Sequence, residues 1–177
     1  MNVWMIGIEK KYATYEELKL RQAVAQGWPY LDNLSHMVGA NNVREQIVAM
    51  GEADQVARIF DNLLAIMEPC DLVLGFEGLT LRGICQLTRV TNYHFDDQGQ
   101  SSKIPPSFFG KSNYEYAHIL SPVLWIDWEN FIPYLQGGHT PNPPAKAPPG
   151  IVKSHQASDL IAAWQRFRCC DEDGGDK

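Results

Sequence analysis

The chain has 177 residues, 45% hydrophobic and 20% charged, with a formal net charge of −6, the make-up of one globular domain with appendages that needs neither disulfides nor metal to bury a core. It contains no apolar run of membrane length and no basic stretch followed by a long apolar one near Met1, so a membrane partner and export are not expected and a cytoplasmic location is. Net negative charge weighs against nonspecific binding to nucleic acid, which draws on phosphate neutralisation, yet the last seven residues hold four acids and one base, which leaves the remainder closer to neutral.

In chain order, Val3–Ile8 is rich in β-formers and bounded by charge, which predicts a strand. Thr14 and Glu17 have capping-box spacing, so a helix is expected from about Tyr15 to Ala25, stopped at Gly27. The run Gly27-Trp28-Pro29-Tyr30-Leu31-Asp32-Asn33-Leu34-Ser35 follows neither helical nor strand periodicity and reads as a shaped loop. Its two large aromatics beside an acid and an amide suit a pocket for a flat heterocycle, such as a nucleobase taken out of its stack; the plainer alternative is that Trp28 and Tyr30 plug a small core.

From Asn42 to Glu68 the apolar spacing is helical with a break at Gly51, giving two helices or one broken one. Leu72–Phe76 is an apolar strand, Glu77-Gly78 a turn, and Leu79–Leu87 an alternating partner, together a β-hairpin. Val90–Phe95 prolongs the second strand past a bend, and residues 96–113 form a polar surface loop. Two further strands are expected at Tyr114–Leu120 and Val123–Trp128, separated at Pro122. Five prolines and three glycines between Gln136 and Gly150 rule out regular structure there. Leu160, Ile161, Trp164 and Phe167 then form an amphipathic helical stripe that has to pack on something. The expected fold is α+β: a small mixed β-barrel of five to six strands decorated by several helices. Residues 1–135 make the barrel domain, 136–150 an ordered excursion, 151–168 a C-terminal helix packed on the barrel and 169–177 an acidic disordered tail.

The chemical inventory is short. Cys70, Cys85, Cys169 and Cys170 form no CxxC pair and no zinc spacing with His36, His94, His118, His139 and His155, so no metal and no cofactor is expected. Cys85 reads as a small core residue. A Walker loop, a GxGxxG turn, a nucleophile elbow and an HExxH helix are all missing. The acid pairs Glu16-Glu17, Asp96-Asp97 and Asp127 with Glu129 read as solvated surface or caps, and His94 and His118 as structural, so no catalytic residue and no enzymatic activity is expected. Trp28, Tyr30, Phe76, Tyr93, Trp125 and Trp128 are candidates for an aromatic cage; Trp125 and Trp128, three apart in a strand, face opposite ways, so at most one can join it. Lys10, Lys11, Lys103, Lys111, Arg166 and Arg168 are candidates for a phosphate-facing patch, with solvated surface as the plain reading.

Four segments in order, VWMIGIEK, GWPYLDNLS, PCDLVLGFEGLTLRGICQL and YEYAHILSPVLWIDW, resemble EVE-like domains of the PUA superfamily, most of all those at the front of McrBC-type modification-dependent restriction proteins. The resemblance covers about residues 1–135. Those domains commonly show a GW…DLS loop, a GD strand leading into a G-I-G-x-V partner, and a Y-x-H…V-x-W strand pair. Two departures stand out. Cys70 replaces the Gly of the GD turn, so that turn must avoid a positive φ or tolerate strain, and Cys85 replaces the second Gly of the hairpin partner.

The resemblance implies a DNA reader that flips a methylated or otherwise modified base into an aromatic pocket, as the recognition module of a restriction system. Carried over by residue, Trp28 is the stacking wall, with Tyr30 and Leu34 beside it. Asp32 and Asn33 are candidates for hydrogen bonds to the base edge, though each could equally serve its own loop. Gly75, Phe76 and Glu77 form the opposite wall, while Lys10, Lys11, Lys103 and Lys111 meet phosphates. The implied partner is double-stranded DNA carrying a modified base, with a nuclease or AAA+ motor as a further partner. N6-methyladenine and 5-substituted cytosines both remain open as the modification. The competing expectations are a PUA-type module that meets RNA through a groove and the 2′-hydroxyls, and a protein-interaction domain whose aromatics are core.

Overall fold

The computed structural model describes residues 1–10, 13–96, 116–136, 152–153 and 157–173; of Pro29, Val152, Lys153 and residues 169–173 it describes the backbone alone. The elements run β1 (Val3–Ile8), α1 (Tyr15–Leu20), β2 (Val24–Gln26), α2 (Val43–Ala49), α3 (Asp54–Asp61), β3 (Leu72–Glu77), β4 (Thr80–Phe95), β5 (His118–Asp127), α4 (Trp128–Phe131), β6 (Val152–Lys153) and α5 (Ala157–Asp173). Short 3-10 turns at Pro29–Leu31 and Ser35–Met37 shape the loop after β2, and a π-helical turn at Asn62–Ile66 closes α3.

The strands make one mixed sheet in the order β2-β5-β4-β3-β1-β6. β1 and β3 are parallel, and the other pairings are antiparallel. Both faces are covered. Trp4, Ile6, Ile8, Val73 and Cys85 point into a core completed by Tyr15, Leu18, Ile47 and Phe60 of the helices α1–α3. Val3, Leu72, Leu74, Phe76 and Ile84 point the other way, into a core with Trp128, Phe131, Leu160, Trp164 and Phe167 of α4 and α5. Alternation along β1 and β3 assigns successive residues to the two cores, as a pleated strand buried on both sides requires.

Several junctions follow from local chemistry. The Thr14–Glu17 capping box is formed, and the Glu77 carboxylate takes the Tyr15 N–H at 2.7 Å. α1 then stops at Leu20, short of the expected Ala25: Gln22 turns to φ +51 while Gln22 N donates to Lys19 O and Ala23 N to Leu18 O, a Schellman closure. Val24–Gln26 pairs with β5 instead, so sheet pairing overrides a mild helical propensity. Gly51, at φ +96, closes α2 in the same way and separates it from α3.

β5 is one strand where two were expected. Its Ser121 and Val123 pair with Asn92 and Leu87 across an irregularity in β4, so Pro122 sits where no ladder bond is asked of its missing N–H. Trp128 opens α4 and no longer belongs to the strand, but it does lie in the opposite core from Trp125. Cys70 adopts φ +75: of the two outcomes expected for this turn, it takes the strained one, with Pro69 before it and Asp71 N bonded to Glu68 O, the pattern of a type II turn. Cys85 is fully buried. Of the expected stripe, α5 buries Leu160, Trp164 and Phe167 and leaves Ile161 partly buried, and its backbone stays helical to Asp173, into the segment expected to be a disordered tail. Asp96, read as the start of a surface loop, is 1% exposed; the rest of that loop, and the Pro- and Gly-rich excursion from 137 to 150, lie outside the described residues.

Candidate functional site

The loop between β2 and α2 is built on two strained residues. Trp28 and Asp32 both sit at φ +60, a left-handed conformation that costs a residue such as Trp about 1–2 kcal/mol and an Asp, with its local hydrogen bond, less. They bracket the 3-10 turn Pro29–Leu31, closed by Leu31 N donating to Trp28 O at 3.0 Å. Asp32 Oδ1 takes the Asn33 N–H at 2.8 Å, and Asn33 Oδ1 takes both the N–H and the hydroxyl of Ser35. These are local Asx interactions, and they leave Asp32 Oδ2 as an acceptor and Asn33 Nδ2 as a donor on exposed side chains.

Side chains of the sheet hold this loop from below. His118 Nε2 lies 3.0 Å from Trp28 O, His118 Nδ1 lies 2.7 Å from the Tyr93 hydroxyl, and that hydroxyl receives the Leu34 N–H at 3.2 Å. Phe60 meets the His118 ring edge-on at 4.7 Å, Phe95 lies against it at 5.2 Å, and Tyr93 is close to parallel with it at 6.0 Å. Enclosure of this kind pushes the His118 pKa down to about 4, because burial opposes the charged ring more than the Trp28 carbonyl and Asp32 favour it. Burial likewise raises the Tyr93 hydroxyl, so it keeps its proton near neutrality.

The loop residues come together; the opposite wall does not. Trp28 is half-buried with its ring edge-on to Phe60 at 5.8 Å, and Leu34 is enclosed. Tyr30 is 67% exposed, with its hydroxyl 3.2 Å from Glu52. Phe76 is wholly enclosed in the core on the other face of the sheet. Gly75 has the Trp125 indole pressed on it, 2.9 Å from where a Cβ would stand, and Glu77 caps α1 and lies 3.7 Å from Lys10 and 3.6 Å from Arg82. The pleat explains this separation, since Phe76 must face away from its two neighbours and those neighbours already have partners. Trp125 is likewise a core residue, bonded through its indole N–H to Ala23 O at 2.9 Å. Lys10 is exposed beside Glu77, while Lys11, Lys103 and Lys111 lie outside the described residues.

No local signal joins His118, which reads as structural, to Tyr93, a cage candidate; their shared tie to the loop joins positions 25, 59 and 90 residues apart. Away from the loop, a concavity of about 310 Å³ is lined by Tyr15, Lys19, Arg82, Asp127, Trp128 and their neighbours. Most of its charges are paired: Lys19 and the Tyr15 hydroxyl both bond Asp127, and Arg82 lies 3.4 Å from Glu16 and over the Tyr15 ring. No cluster of His, Cys, Asp and Glu suited to a metal ion occurs among the described residues, and no helix among them is long and apolar enough to cross a membrane.

Fold and loop together define an α+β domain with one mixed sheet covered on both faces and an aromatic loop braced over one of them. Compared with known proteins, the chain matches no family model and no curated protein.

Proposed function

We propose that this chain is an EVE-like, PUA-type reader that binds duplex DNA carrying a modified base, receiving the extruded base against the loop Gly27–Ser35. One observation carries the reading: the loop spends backbone strain at Trp28 and Asp32 to present aromatic surface beside exposed hydrogen-bonding groups. Strain at Trp28 and Asp32, set beside exposed hydrogen-bonding groups, supports a loop whose geometry serves a ligand. Trp28 supplies the stacking face, Tyr30 an exposed ring at the rim, and Asp32 and Asn33 one acceptor and one donor toward the base edge. Phe76 has no part in it, and neither do Gly75 and Glu77.

A methyl group contributes only about 1 kcal/mol of apolar burial. Discrimination therefore comes from pocket shape and from the easier extrusion of a weakened pair. A nuclease or motor acting on the bound DNA is the partner this role calls for. The test is binding of matched duplexes, unmodified and carrying N6-methyladenine or 5-substituted cytosine, with RNA of the same sequence as a further arm. The expected result is preference for one modified duplex, lost in Trp28→Ala by about tenfold or more while the fold persists. Equal affinity for modified and unmodified DNA would overturn the reading; RNA binding blind to modification would point to an RNA module, and no binding at moderate salt to a protein-interaction domain.

A further inference from the structure

For a neutral His118 ring, the contacts beneath the loop admit a single set of protons. A backbone carbonyl only accepts, so the 3.0 Å contact with Trp28 O places a proton on His118 Nε2. Nδ1 of that neutral ring is an acceptor, and the Tyr93 hydroxyl donates to it across 2.7 Å. The phenolic oxygen, its own proton committed, takes the Leu34 N–H at 3.2 Å. One imidazole thus ties residue 28 directly and residue 34 through one hydroxyl.

Between these ties lie both left-handed residues and both edge-reading candidates. A loop with Trp28 and Asp32 at φ +60 is not what the free segment would adopt, and something must hold it. His118 itself has no solvent exposure, so it cannot meet a base. Phe60 and Phe95 already pack its ring, and an apolar side chain would fill that space without the cost of burying an imidazole. What the imidazole adds is its two hydrogen bonds.

We propose that His118 and Tyr93 are the positioning pair of the base-reading loop: as the Nε2–H tautomer, His118 sets the plane of Trp28 and the edge formed by Asp32 and Asn33, and so governs affinity for an extruded base without contacting it. This rests on the reading of the loop as base-binding. Protonation of His118 Nδ1 would turn the Tyr93 hydroxyl from donor to acceptor while it already takes the Leu34 N–H, and tautomer exchange would leave the Trp28 carbonyl without its partner; either change loosens one end of the loop.

The free protein provides the first arm of the test. Long-range proton–nitrogen spectra at pH 7 are expected to show His118 protonated at Nε2 and bare at Nδ1. In Tyr93→Phe, which keeps the ring and removes the hydroxyl, exchange of the Leu34 amide is expected to quicken about tenfold, with amides of the β1–β3 ladder unchanged. The second arm uses the modified duplex that wild type binds best. Tyr93→Phe and His118→Gln are each expected to weaken it about tenfold, and the double variant no more than the worse single one, because both act through one chain of bonds. A proton on Nδ1, an unaltered Leu34 amide, equal loosening of the β1–β3 ladder, or additive losses would each overturn the positioning role. If wild type shows no preference for modified DNA, the base-reading assignment fails, and the tautomer and Leu34 exchange still decide the tie by themselves.

Discussion

His118 keeps a titratable ring where solvent does not reach, and this has a calculable consequence for stability. Its pKa falls to about 4 in the fold against about 6.5 in the unfolded chain. The unfolded state therefore binds the proton first, and stability is full above about pH 6.5 and declines as pH drops toward 4, by about 3 kcal/mol in total. Denaturant midpoints measured from pH 7.5 to 4.5 are expected to fall through that window, and the slope to flatten in His118→Gln. Asp127, held below its usual range by Lys19, acts in a lower window, where its own carboxylate is protonated. Left-handed residues away from the loop behave differently. Cys70 and Gln22, at φ +75 and +51, hold turns that glycine would hold without strain, so Cys70→Gly and Gln22→Gly are each expected to stabilise the protein by about 0.5–1 kcal/mol in urea unfolding. Gly83 is the reverse case: a Cβ there would stand 2.2 Å from the Tyr15 hydroxyl and 2.7 Å from Ile126 O, and Gly83→Ala is expected to cost about 3 kcal/mol.

Elements were legible in the sequence where their signals are local. β1, the Thr14–Glu17 capping box, the break at Gly51, the β3–β4 hairpin and the buried stripe of α5 all lie where turn chemistry and periodicity put them. The capping box makes its own prediction: Thr14→Ala is expected to lose about 1 kcal/mol of thermal stability. What local signals missed was decided by partners distant in sequence. Val24 and Ala25 read as the end of a helix until β5 offers them a ladder, and Pro122 reads as a strand break until β4 supplies an irregularity opposite it. The loop from Gly27 to Ser35 was recognisable because its aromatics lie among turn formers. Its brace was not, because Tyr93 and His118 come from β4 and β5 and meet only after the sheet has formed. Gly75, Phe76 and Glu77 were assigned to the same cavity as Trp28, yet each is already engaged elsewhere: Trp125 covers one, the second core encloses another, and α1 uses the third as a cap.

In the molecule as a whole, one sheet separates two cores with different roles. The core under α4 and α5 is aromatic and closed, with Phe131, Trp164 and Phe167 in mutual ring contact, and Trp164→Ala is expected to cost about 3–5 kcal/mol without altering any ligand preference. The core under α1–α3 reaches the surface at Trp28 through Phe60 and His118, which couples packing to the loop. Tyr30, Asp32 and Asn33 stand exposed at that point. The most direct test of the account places the fluorescent base 2-aminopurine beside a modified base in duplex DNA and follows its emission as protein is added. Extrusion of the modified base unstacks its neighbour, so emission is predicted to rise with wild type on the modified duplex alone and to stay flat with Trp28→Ala. Flat emission from every modified duplex that wild type binds, or an equal rise on unmodified DNA, would contradict it.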